Sequence, residues 1–358
     1  MNFSWISLLA VAILLSSCGG SGNTARMDTP TSKLYKISGT TMGTSYNITS
    51  DLSNLNQLQK RIDLMLVNIN HEVSTYEEDS FITSFNKADE QVVLQSANSL
   101  EDKNSHFKEN FKIAREVFVK SQGYFDPTVM PLVNYWGFGP NKKKPEEVDT
   151  AALALIKENI GFEKVNKKSE GENNTIYLRK EKAGVQLDFS ALAKGYAVDK
   201  VAQLLDKAGA KNYLVEIGGE VKVKGTNQKS DFWTIGINKP TLDAALNSIY
   251  KKARLTDIAM ASSGNYRNYF QLDGQIYSHT MNPKTGFPER NEILSATVFA
   301  PDCIRADAYA TACMVAGLDE ARKMIESVNG VEAFFIYTNQ NGEMSELATK
   351  GASYYIVD

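Results

Sequence analysis

Asp307 and Thr311, in the stretch RADAYATACMVAG, stand four residues apart. On a helix that spacing puts a carboxylate and a hydroxyl on one face. Two hard oxygens suit Mg2+, which completes its octahedron with water and substrate phosphates; an Asp-x-x-x-Thr pair is also a common local hydrogen bond. In LDFSALAKGYAVDK, Ser190 is expected to cap a helix whose first turn carries Lys194, and a helix N-terminus beside a cation receives an anion. The run GYFDPTVMPLVNYWGFGP reads as a loop with flat faces at Tyr124, Phe125, Tyr135, Trp136 and Phe138. A planar heteroaromatic would stack there, with Asp126 as its hydrogen-bond acceptor. One of only three histidines, His279, sits in the Pro- and Gly-punctuated segment SHTMNPKTGFP. Aromatic slots, an anion-binding helix end, a divalent-metal pair and a loop histidine fit a nucleotide or flavin pyrophosphate better than a sugar or peptide.

The elements that must position these groups follow from periodicity and punctuation. Leu58, Ile62, Met65, Leu66 and Ile69 recur at helical spacing, and so do Phe107, Phe111, Ala114 and Phe118, with Asn104 or Ser105 as a cap. LYKISGTTMGTSYNIT predicts two strands around a Gly-marked turn, and TIYLRKEKAGVQLDFS a hairpin. NYLVEIGGEVKVKG, FWTIGI, ILSATVFAP, VEAFFIYT and ASYYIVD have strand character, and RADAYATACMVAGLDEARKMIESV is a helix broken at Gly317. Helices and strands alternate without strict βαβ units, which predicts an α+β fold with mixed, largely antiparallel sheets and packed helices in one domain over residues 34–358. His71 and His106 are expected as solvated side chains.

The 358 residues carry 42% hydrophobic and 23% charged side chains with a net charge of −3. No basic block with interleaved aromatics points to nucleic acid. The N-terminus differs from the body: WISLLAVAILLSSC is an apolar run of signal-peptide length, too short for a comfortable membrane span. LLSSC resembles a lipobox, which makes 1–17 a lipoprotein signal peptide, Cys18 the lipidated residue and 18–33 a flexible tether. An ordinary secretory peptide with a chance cysteine is the alternative. Cys303 and Cys313 are too few for a disulfide framework and read as small buried apolar groups.

TTMGTSY, STYEEDS, GYFDPTVMPLVNYWGFGP, LDFSALAKGYAVD, LVEIGGEVKVKG, ASSGNYRNYF, SHTMNPKTGFP and ADAYATACMVAG occur in this order between Gly39 and Gly317. Together they resemble the ApbE family of bacterial FAD:protein FMN transferases. The resemblance implies Mg2+-dependent transfer of FMN from FAD to a Thr hydroxyl of a target protein, with release of AMP. It implies FAD contacts at Met42, Tyr76, Tyr124, Phe125, Asp126, Ser190, Tyr196 and Met281. Asp307 and Thr311, with main-chain oxygens of Ala193 and Ala310, would hold the metal. Lys194 would stand by the phosphates, and His279 would take the proton of the attacking Thr. Targets would be flavoprotein subunits of the Na+-translocating NADH:quinone reductase or Rnf type, met at the periplasmic face of the inner membrane. The sequence departs from the family at Asn282, where Asp is usual. An FAD pyrophosphatase yielding FMN and AMP would use the same groups, and a non-enzymatic flavin-binding lipoprotein would not need the Asp307–Thr311 pair.

Overall fold

The computed structural model describes residues 33–95, 103–140, 142–170, 175–241, 248–265, 269–272 and 274–358. Cys18, the apolar run before it and the tether as far as residue 32 lie outside these residues. Among the described residues no helix is long and apolar enough to cross a membrane.

An eight-stranded sheet runs in the order β1 (Tyr35–Thr41), β2 (Thr44–Ser50), β6 (Tyr213–Ile217), β7 (Glu220–Lys224), β10 (Ile258–Gly264), β13 (Ile293–Ala300), β14 (Glu332–Thr338) and β15 (Met344–Ala348). Every neighbouring pair is antiparallel. Three smaller antiparallel sheets complete the β structure: β3 (Gln91–Gln95), β5 (Thr175–Lys180) and β4 (Val165–Glu170); β16 (Ile356–Val357), β9 (Ile249–Leu255) and β8 (Trp233–Asn238); and β11 (Tyr269–Leu272) with β12 (Gln275–Ser278). The helices are α1 (Leu55–Val73), α2 (Phe81–Lys87), α3 (Ser105–Lys120), α4 (Met130–Tyr135), α5 (Thr150–Lys157), α6 (Ala193–Lys207), α7 (Cys303–Ala316) and α8 (Leu318–Glu326). The fold is α+β, as the interspersed pattern requires.

Two cores flank the large sheet. On one face, α1, α3, α6 and α7 bury Ile62, Phe107, Val198 and Tyr309 with Ile48, Val215 and Val298. On the other, the β8–β9–β16 sheet covers Val223, Met260, Phe299 and Ile336 with Trp233, Ile237 and Leu255. Strand β13 lies between both layers, which is why ILSATVFA is buried nearly throughout instead of alternating. Helix α7 is apolar almost all round because it is enclosed by the sheet, α3 and α6. A third cluster, with Trp136, Phe270, Tyr277 and Met281, gathers α4, α5 and the β11–β12 hairpin. Cys303 and Cys313 are both free and buried.

Several local expectations are corrected. Helix α6 starts at Ala193 with Leu192 at its N-cap, not at Ser190. Ser190 instead donates its N–H and its hydroxyl to Asp188 Oδ1, at 2.8 and 2.6 Å, and the local turn this makes displaces the helix start. The hairpin partner of β5 is β4, which precedes it; the segment 184–189 that follows is irregular. Residues 127–135 of the supposed aromatic loop form a 3-10 turn and α4, nucleated when Asp126 accepts the Thr128 N–H at 2.8 Å. ASYYIVD is a 3-10 turn before a two-residue strand. His106 is half-buried, its ring Nδ1 2.8 Å from the Tyr196 hydroxyl, and burial lowers its pKa.

Helices α6 and α7 meet at backbone distance at Gly195. A Cβ on Gly195 would lie 2.3 Å from the Cys303 carbonyl oxygen and 2.9 Å from Asp307 Cβ, so backbone would have to move. Gly195→Ala is therefore expected to destabilise the protein by about 1–3 kcal/mol. A urea midpoint unchanged from the wild type would disprove the constraint.

Candidate active site

A cavity of about 510 Å³ opens where the 124–138 segment, the 188–194 turn, the β6–β7 hairpin, β10, the 279–281 segment and α7 converge. Its floor carries Lys194, Glu220, Asp307 and Thr311. The Lys194 ammonium lies 2.5 Å from Glu220 Oε1, and Asp307 Oδ2 accepts the Gly195 N–H at 3.0 Å. The β6–β7 turn makes this meeting possible. Gly218 and Gly219 both have positive φ, and Gly218 packs so closely on the Lys194 stem that a Cβ would stand 3.3 Å from its Cδ. Two buried carboxylates thus share one ammonium. Burial, then repulsion from Asp307, pushes Glu220 up to about 7 against the pull of Lys194. Burial likewise raises Asp307, with Lys194 and the Gly195 amide opposing. Burial disfavours the Lys194 charge, but Glu220 and Asp307 more than offset this and hold its pKa above the ordinary value.

Aromatic side chains form another wall: Tyr76, Tyr124, Phe125 and Phe138. Tyr76 is 59% exposed and its hydroxyl donates to the Phe138 carbonyl at 3.3 Å. Lys284 Nζ stands over the Tyr124 ring at 3.4 Å from its centroid. His279 is exposed at the rim, edge-on to Phe138 with ring centroids 6.4 Å apart. The segment beyond it is pinned. Asn282 Oδ1 accepts the Lys284 and Thr285 N–H groups at 2.8 and 3.2 Å, its Nδ2 donates to Glu289, and Trp136 Nε1 donates to the Gly286 carbonyl at 3.0 Å. An Asp at 282 would keep the turn but set a carboxylate against Glu289, so the amide is the side chain matched to this neighbour.

The sequence matches the ApbE family over residues 42–335. The chain belongs to the ApbE family. It is similar to the FAD:protein FMN transferase of Vibrio cholerae, 35% identical over 345 residues and covering 95% of each chain. The FAD:protein FMN transferase of Haemophilus influenzae is 33% identical over 357 residues, covering 98% of this chain and 96% of that one. The solved structure of the flavin transferase ApbE from Vibrio cholerae superposes with a TM-score of 0.77 at 34% identity, over 90% of this chain and 99% of that one.

Of the residues singled out in the ApbE motifs, Tyr76, Tyr124, Phe125, Asp126, Ser190, Lys194, His279, Met281, Asp307 and Thr311 all line the cavity. Met42 does not; it forms the β1–β2 turn with φ +51°. Tyr196 also lies off the cavity, its hydroxyl donating to Glu109 at 2.6 Å on α3. Ala193 and Ala310 are buried at the start of α6 and inside α7. Trp136 is fully buried and stacks on Tyr277 at 4.9 Å, so this aromatic supports the wall from behind. The anion at the α6 N-terminus is the protein's own Asp307. Sequence reasoning passed over Glu220, although a Glu directly after the paired glycines of EIGGE is the visible sign of it. It also passed over Asp199, an acid among the buried residues of α6 whose carboxylate caps α7.

The floor fits a divalent cation. Asp307 and Thr311 offer hard oxygens, Glu220 Oε2 is enclosed without a hydrogen-bond partner, and the two carboxylates exceed the single ammonium in charge. A pyrophosphate placed here without a cation would face that excess. At the exit of α1, His71, Glu77 and Asp79 form a second grouping, with ligand atoms all within 4.8 Å.

Asp126 supplies a test of the wall. Burial pushes its carboxyl up to about 6, against the hydrogen bonds from Thr128. The folded state therefore keeps a proton that the unfolded chain releases, and stability present below about pH 4 is lost as pH rises through about 6, by up to ~3 kcal/mol. Asp126→Asn retains an oxygen for both Thr128 bonds and removes the charge. Urea unfolding should show the variant more stable than wild type near pH 7 by about that amount, with the gain vanishing below about pH 4. An equal gain at both pH values would contradict the assignment.

Proposed function

We propose that this ApbE-family transferase moves FMN from FAD to a Thr hydroxyl of a target flavoprotein and releases AMP. Membership in the family makes the chain an enzyme of FAD-to-FMN transfer chemistry; the acceptor, the metal and the residue roles are this reading's own. The observation that carries it is the convergence, in one cavity, of an aromatic wall, a carboxylate–ammonium floor and a rim histidine. The aromatic wall would hold the planar halves of FAD, with Met281 and Ser190 beside them, and the floor would hold its pyrophosphate. The Thr Oγ attacks the phosphorus that bears the riboflavin half. An Oγ–P bond forms, the bond from that phosphorus to the bridging oxygen breaks, and AMP leaves with that oxygen. His279 accepts the hydroxyl proton, and Lys194 lies where charge on the phosphoryl oxygens is countered.

Asp307 and Thr311, with Ala193 and Ala310 main-chain oxygens, would hold Mg2+. When bound, such an ion neutralises pyrophosphate charge and polarises a phosphoryl oxygen. Flavoprotein subunits of Na+-translocating NADH:quinone reductases or Rnf complexes are the proposed acceptors, met where a lipid on Cys18 would tether the enzyme at the periplasmic face of the inner membrane.

The direct test incubates the chain from Gly19, FAD and Mg2+ with a Thr-bearing acceptor domain from such a subunit and weighs the acceptor by mass spectrometry. A gain of one FMN less water, abolished by chelation, is the expected result. Free FMN and AMP beside an unmodified acceptor would make the enzyme a pyrophosphatase. His279→Ala should lower the transfer rate by about 10²–10⁴-fold with FAD binding retained, the usual contribution of a positioned base; full activity would remove His279 from that role. Asp307→Asn should abolish the dependence on added Mg2+ together with turnover, and a variant as active and as chelator-sensitive as wild type would refute the metal assignment.

A further inference from the structure

Behind the wall that carries His279 lies a second cavity, of about 590 Å³, between Gln275–Ser278 and the 289–294 segment. Three stretches of chain separate it from the first cavity, and each contributes neighbouring residues to opposite sides. Gly264, His279 and Ser295 line the first cavity; Asn265, Ser278 and Leu294 line the second. The partition is thus one residue thick, as extended backbone with alternating side chains requires.

The groove has the form of an opened ladder. Residues 280–282 pair with 287–289: Met281 bridges Pro288, the Glu289 N–H donates to the Thr280 carbonyl at 2.8 Å, and the Asn282 N–H donates to the Phe287 carbonyl at 2.9 Å. Beyond Glu289 the two chains part. Among the described residues β11 is the sole strand partner of β12, and none of them pairs with its other edge. Ser278 is 4% exposed, yet its hydroxyl has no hydrogen-bond partner. Ile276 is 42% exposed beside it. Arg290, at the rim, stacks on Tyr277 at 4.5 Å and donates to Gln275 at 2.8 Å.

We propose that this groove is the docking site of the protein acceptor: an extended segment next to the acceptor hydroxyl adds as a strand to the open edge of β12. The inference rests on the transferase reading above. Its main chain would pair with β12, its polar groups would satisfy Ser278, and an acidic side chain would meet Arg290. Four residues of β12 span about 13 Å. A segment running along them from Gln275 reaches the partition at Ser278, and the residue that follows passes over it to His279. The cavity then binds the flavin donor and the groove selects the acceptor.

The test uses the full chain, FAD and Mg2+ with the same acceptor domain. Ile276→Glu sets a carboxylate in the groove against the acidic segment from an exposed position, and Arg290→Glu reverses the rim charge. Each is expected to raise KM for the acceptor by about tenfold or more, the scale of a lost interface anchor, with FAD affinity by flavin fluorescence and melting temperature unchanged. A benzoylphenylalanine photo-cross-linker at position 276 should capture an acceptor peptide within a few residues of the modified Thr. Wild-type transfer with unchanged KM in both variants and no cross-link would overturn the groove and leave the transferase standing. No transfer by the wild type would overturn the transferase reading, and this inference with it.

Discussion

Helix α6 must lie against the first turn of α7 at backbone distance, and the site depends on that contact. Two residues enforce it from opposite directions. Gly195 has no side chain to hold the helices apart, since a Cβ there would sit 2.3 Å from the Cys303 carbonyl. Asp199, one turn further along α6, pulls them together: its carboxylate accepts the Cys303 and Ile304 N–H groups, each at 3.0 Å, and Lys222 of β7 at 2.9 Å. A carboxylate at the N-terminus of α7 satisfies amides that the helix itself leaves unpaired and complements its dipole. With α7 held in this way, Asp307 reaches the Gly195 amide and the neighbourhood of Lys194. Lys222 couples the same junction to the sheet, and Glu220 enters the floor from that strand.

The resulting charge pattern is incomplete as it stands. Two buried carboxylates compete for one ammonium, and burial, then repulsion from Asp307, drives Glu220 up to about 7. Burying unbalanced charge costs folding free energy, and a protein interior retains such a cluster where something else completes it. A cation followed by an anionic pyrophosphate would do so in sequence, each creating the electrostatic site for the next. This is preorganisation of the kind that phosphoryl transfer needs, because the chemistry there is mostly charge placement.

Aromatic residues of one short stretch divide between support and contact. Trp136 turns inward, stacks on Tyr277 and bonds the Gly286 carbonyl, while Tyr124, Phe125 and Phe138 face the cavity. The same Trp136–Gly286 bond anchors the loop that begins at His279, so the wall and the rim are positioned by one packed unit. Asn282 completes it by donating to Glu289 from inside the turn. The loop histidine is therefore carried on a rigid segment despite its exposure, and that segment also separates the two cavities.

Local features were legible in the sequence where a short-range rule governs them. The helical faces of α1 and α3, the Asp307–Thr311 spacing, the break at Gly317 and the β1–β2 turn at Gly43 all follow from periodicity or backbone sterics within a few residues. The ordered ApbE motifs likewise marked most of the cavity lining in advance. What the sequence left open was which neighbour, far along the chain, each group would meet. Gly195 and Asp307 are 112 residues apart and Lys194 and Glu220 are 26 apart, and their contacts exist only once the sheet order and the α6–α7 crossing are set. Tyr196 points to Glu109 and His106, and not to the cavity, because α3 lies across that face of α6. Ser190 lost the helix cap because Asp188, held in an irregular segment, took its hydroxyl first. The sequence by itself determined which chemical groups the protein owns and on which elements they ride. The tertiary structure decided which of them share a buried volume, since desolvation and charge coupling act through space and carry no signature in local spacing.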